Sequence, residues 1–134
     1  MAKQQIWHIK DGYCTTTDAV TETAICTFDI STGASGGGAL NNCTIFIEAR
    51  TSGFNTTANT GGGESIAAAF KVVAGTLSQI GTTVHVTAMI EDMAGTPNTG
   101  FSISGNVITH WATGSASATV GWFGRMFLTI YQPV

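Results

Sequence analysis

Apolar side chains recur at every second position along most of this chain, and that period restricts its fold more than any other feature. "CTIFIEAR" puts Cys43, Ile45, Ile47 and Ala49 on one side of an extended backbone, and "SIAAAFKVVAG" does the same with Ile66, Ala68, Phe70 and Val72. "TTVHVTAMIED" aligns Val84, Val86, Ala88 and Ile90, while "AVTETAICTFDI" aligns Val20, Ala24, Cys26, Phe28 and Ile30, with Glu22 as the exception. A strand turns successive side chains to opposite faces, so a chain patterned this way buries one face of each strand. "QQIWHIK", "GFSIS", "NVITHWAT" and the long "TVGWFGRMFLTIYQPV" bring the total to about eight strands, with Gly105 as a hairpin turn. Helical character could be argued for "ESIAAAFKVVAG", but its Val72-Val73 pair and two-residue apolar spacing make it a strand.

The connections "STGASGGGALNN", "SGFNTTANTGGGE" and "DMAGTPNTG" are rich in residues that tolerate positive φ or bond their own backbone, and they read as loops. These patterns predict an all-β fold: an antiparallel two-sheet sandwich, jelly-roll-like in its connections. The domain is expected over residues 13–134, with an N-terminal arm at 1–12.

Composition bears on partners. Five Lys and Arg among 134 residues and a net charge of -3 leave too few cations to neutralise a phosphate backbone, so no nucleic acid is expected. No apolar run approaches the ~20 residues that span a bilayer, so no membrane partner is expected either. Charged residues make up 10% of the chain, which leaves much of its surface neutral and prone to associate. Cys14, Cys26 and Cys43 lack C-x-x-C spacing and read as buried free thiols.

Candidate reactive groups do not assemble into a site. "GASGG" matches G-x-S-x-G around Ser35, yet no helix pattern follows to form the elbow that motif requires. His8, His85 and His110 fall on separate strands, and the phase of His85 and His110 suits a solvent face or an intersubunit contact. Glu91 and Asp92 are neighbours on a strand, so they point to opposite faces and cannot easily converge on one atom. The chain is therefore expected not to be an enzyme and to carry no metal or cofactor.

The aromatics are more telling. The last strand is bulky on both faces, with Trp122, Met126, Leu128 and Ile130 on one and Phe123, Phe127 and Tyr131 on the other. A strand apolar on both faces is covered on both. The cover could come from another subunit, or from a loop or the N-terminal segment of the same chain. Ile6, Trp7, Ile9, Tyr13, Trp122, Phe123, Phe127 and Tyr131 are the candidate interface residues, with the arm expected to dock on a neighbouring subunit.

"GTLSQIGTT", the "ED" that closes the next strand, "SGNVI" and "TVGWFGR" together resemble a β-sandwich module of tailed-bacteriophage virion proteins. Such modules occur as the last domain of tail fibres or appendages and as small separate proteins. With no stalk or coiled-coil pattern ahead of the sandwich, the chain is similar to capsid decoration, or cement, proteins. That resemblance implies a protein made in the host cytoplasm and placed on the capsid exterior of the virion. There it would act as a dimer or trimer that bridges subunits of the major capsid protein. The alternative is a receptor- or glycan-binding appendage domain, contacting its target through the loops at 33–42, 53–64 and 94–100.

Overall fold

The computed structural model describes residues 4–33, 38–82, 84–95 and 97–133. Among these the chain forms nine strands and no helix: β1 (Gln4–Thr16), β2 (Thr23–Asp29), β3 (Cys43–Asn55), β4 (Thr60–Val73), β5 (Thr76–Gln79), β6 (His85–Glu91), β7 (Asn98–Ser104), β8 (Val107–Thr113) and β9 (Val120–Gln132). A six-stranded sheet runs β1-β9-β3-β4-β5, with β6 also pairing β4, and a second sheet runs β2-β8-β7. All pairings are antiparallel. The expected all-β, two-sheet antiparallel architecture is the one the chain adopts.

The period-two pattern decides the packing. Ile45, Ile47 and Ala49 of β3, Ile66, Ala68, Phe70 and Val72 of β4, and Trp122, Met126, Leu128 and Ile130 of β9 all turn inward and are buried. Ile25, Cys26, Phe28, Ile108 and Ala112 of the small sheet close over them. Each large apolar side chain taken fully out of water contributes roughly 1.5–3 kcal/mol. Two glycines set how closely the layers approach. A Cβ on Gly53 would stand 2.5 Å from the Trp122 ring, so glycine there makes room for the indole. A Cβ on Gly12 would stand 2.1 Å from the Ile25 carbonyl oxygen, so its absence lets β1 and β2 meet where the chain passes between sheets.

Several expectations are corrected. β5 is a ninth strand of four residues, too short to show a period. "SGFNTTANTGGGE" is mostly strand: β3 continues to Asn55 and β4 starts at Thr60. The turn between them is held by Asn55 Oδ1, which accepts from the backbone N–H of Thr57 and Ala58 at 3.0 Å each. A bulge between Ala24 and Cys26 shifts the face of β2, so Ile25 joins the core while Ala24 is exposed; Val20 precedes the strand, in a turn where its N–H donates to Asp18 Oδ1, and is exposed too. A second irregularity, between Gly63 and Ser65 of β4, puts Ile90 of β6 opposite the outward Gly63 and exposes it, whereas Val86 stands opposite the inward Ile66 and is nonetheless half-exposed. Gly105 does open a two-residue hairpin, with φ of 57°. Ser35 lies outside the described residues.

The boundary expected between residues 12 and 13 falls inside β1. That strand pairs with β9 along its whole length, from Gln4 opposite Gln132 to Thr16 opposite Val120. The segment thus lies beside the last strand within the sheet, and its outward Trp7 and Ile9 stay exposed.

Candidate functional site

Only the inner face of the large sheet is covered by the small one, and the outer face of β1, β9 and β3 is where the chain's bulky exposed side chains gather. On β1 the odd positions face outward: Trp7 is 76% exposed, Tyr13 82%, and Ile9 lies between them. On β9 the outward positions are Phe123, Phe127 and Tyr131, and on β3 they include Phe46 and Phe54. Strand register sets these side chains in rows. Tyr13 stands beside Phe123 and Ile9 beside Phe127. Neighbouring strands lie about 4.8 Å apart, so each row is a contiguous strip.

One row between the aromatic strips is charged. Asp11 pairs with Arg125 across β1 and β9, and Arg125 pairs with Arg50 across β9 and β3. Arg125 Nη2 donates to Asp11 Oδ2 at 3.2 Å, an exposed ion pair worth at most about 1 kcal/mol. The Arg50 guanidinium lies 4.9 Å from the centre of the Phe127 ring, and that of Arg125 lies 5.9 Å from Phe123. Arg50, Ser52, Phe123, Arg125 and Phe127 line a shallow open depression of about 340 Å³. Like charges directly opposite on adjacent strands are unfavourable, and among the described residues no carboxylate lies within ion-pair distance of Arg50.

Six of the eight residues expected at an interface are therefore brought together: Trp7, Ile9, Tyr13, Phe123, Phe127 and Tyr131. Ile6 and Trp122 are not. Both sit at even positions of their strands and turn into the sandwich, Ile6 against the core and Trp122 within it, where its Nε1 donates to Thr16 Oγ1 at 3.0 Å. Phe46, Phe54, Arg50 and Arg125 were missed. The alternation along β3 already put Phe46 and Arg50 opposite the core face, but that β3 lies beside β9 is a non-local pairing with no local signal.

His110 is corrected as well. It faces inward from β8, is fully buried, and its Nε2 lies 3.1 Å from Thr51 Oγ1, with Nδ1 unpartnered. Trp111 is the outward residue of that pair, lying over Gly100, where a Cβ would be 2.3 Å from its ring. Burial pushes His110 down to about 4. Nearby, the buried Glu64 accepts a hydrogen bond from the Thr99 hydroxyl, and burial pushes its carboxyl up. These groups form a largely buried polar layer inside the sandwich. His85 is exposed on β6, and His8 lies partly buried beside Phe28, with ring centres 6.1 Å apart. Cys14, Cys26 and Cys43 are free thiols, with Cys26 pushed up to about 11 by burial. Among the described residues no three His, Cys, Asp or Glu side chains are grouped to hold a metal ion.

No family model and no curated protein matches the chain. Among solved structures it is similar to the tailspike protein of Acinetobacter baumannii phage AM24, with a TM-score of 0.58 and 10% sequence identity. The likeness covers 96% of this chain and 26% of the tailspike chain, so the whole of this sandwich corresponds in fold to about a quarter of that protein.

Proposed function

We propose that the chain is a structural component of a tailed-phage virion and serves as a surface-binding domain of a tail appendage. The observation that carries this is the exposed aromatic face of the large sheet, set on a fold shared with a segment of a tailspike. A face of this kind gains free energy when a partner takes its rings out of water, and contiguous exposed apolar patches mark interaction sites. The role is one of binding and needs no catalytic group. The contact surface is placed on the sheet face rather than on the loops at 33–42, 53–64 and 94–100.

Capsid decoration is the second reading, favoured by the low charge content of 10%, which suits docking on coat subunits. Either role leaves room for neighbouring copies, a dimer or trimer, along the free edge of β1. Copy number separates the two. Quantitative gel densitometry of purified virions is expected to give a small fraction of the coat-protein copies. A stoichiometry comparable to the coat protein would replace the appendage with the decoration protein.

A further inference from the structure

The large sheet ends at β1, and among the described residues no backbone group bonds to that strand on the side away from β9. An open edge presents a row of free N–H and C=O groups, and folded proteins usually blunt it by brevity, a bulge, proline or charge. The other edges follow that rule: β5 has four residues, β7 has seven, β2 carries a bulge, and β6 opposes a break in register. β1 runs for thirteen residues with neither a break nor a proline. The lining beneath it is also unfinished. Ile6, His8 and Cys14 turn into the sandwich yet stay half-buried, whereas Ile130, Leu128 and Trp122 beside them on β9 are buried.

We infer that β1 pairs antiparallel with β1 of a second copy about a two-fold axis at Ile9, joining the two large sheets into one. The occupant of such an edge is an extended strand, because only a strand matches its spacing of donors and acceptors. The charges of β1 allow it to pair with itself and select the register. An axis at Lys10 or at Asp11 would set like charges directly opposite one another, which is unfavourable. An axis at Ile9 sets Lys10 opposite the partner's His8 and Asp11 opposite the partner's Trp7. It also makes one apolar row on the outer face: Phe127, Ile9, the partner's Ile9 and the partner's Phe127. Gln4 then lies opposite the partner's Cys14, and that overlap forms roughly ten main-chain hydrogen bonds, as many as a typical specific interface carries in total. A two-fold contact is self-complementary and closes after two copies. The axis is normal to the sheet, so both outer faces turn the same way and their exposed rings form one wider surface. The pairing is independent of whether that surface serves an appendage or a capsid.

Sedimentation equilibrium of the full chain tests this. The wild type is expected to give a mass near twice 13.8 kDa at submillimolar concentration. I9E, a change at an outward position, would set two carboxylates opposite one another at the axis, and it is expected to give the monomer mass with an unchanged circular dichroism spectrum. I9C supplies a second readout that does not depend on breaking the contact. Cα atoms directly opposite in an antiparallel pair lie about 4.5–5.5 Å apart, within reach of a disulfide, so mild oxidation should link I9C into a covalent dimer. The same register keeps the two copies of Trp7 about 13 Å apart along the strands, so W7C should link no more than the wild type does. A monomeric wild type, an assembly of any other size, a dimer that survives I9E, or linkage through W7C in place of I9C would each overturn the inference.

Discussion

At the scale of single residues, the buried polar layer makes stability depend on pH in a direction that can be worked out. His110 is held at about 4 in the folded protein against 6.5 when free, so below pH 6.5 the unfolded chain takes up a proton that the folded one refuses. Stability attributable to His110 is intact above pH 6.5 and is lost as pH falls toward 4, to the extent of about 3 kcal/mol at one pKa unit per 1.36 kcal/mol. Glu64 acts the other way. Its carboxyl is raised from 4.5, so its contribution is full below 4.5 and lost as pH rises through the folded value, which offsets part of the loss on acidification. The melting temperature of the wild type is expected to fall between pH 6.5 and 4, and that of H110Q to fall much less. Parallel melting curves for the two would show that His110 is not the source.

At the scale of elements, β1 is the strand whose role depends most on long-range pairing. Its sequence told where the apolar residues were but not what they met. Alternation identified the inward faces of β3, β4 and β9 correctly because those strands are regular and covered by the small sheet. It failed for Ala24 and Ile90 because a one-residue irregularity reverses the side chains beyond it, and a bulge leaves no mark in hydrophobic period. His110 was misplaced because Val107 and Trp111 were taken to mark the inward phase of β8, whereas His110 itself turns inward and finds a partner in Thr51, 59 residues away. Six residues of the candidate face were legible as bulky groups on the outer phase of β1 and β9. Their assembly with Arg50 and Phe46 followed only from β9 lying between β1 and β3. That order makes residues 4–10 part of the sheet, with His8 beside Phe28 and Ile6 packed on the core. Deleting residues 2–10 should therefore strip β9 of about half its ladder with β1 and abolish cooperative thermal unfolding or lower its midpoint by well over ten degrees. A truncated protein that melts like the full chain would mean that β1 contributes nothing to the fold.

At the scale of the whole molecule, the sandwich is asymmetric: one sheet is closed over the core on its inner side and presents rings and guanidiniums on its outer side. The proposed role makes this outer face the working surface of a virion appendage. Competition for adsorption tests it most directly, with purified protein added to host cells before the virions that carry it. Wild-type protein is expected to reduce adsorption, while the W7A/Y13A double variant, altered only at exposed outward positions and unchanged in melting temperature, is expected to leave adsorption intact. Equal inhibition by both proteins, or inhibition by neither, would contradict the assignment of function to this face.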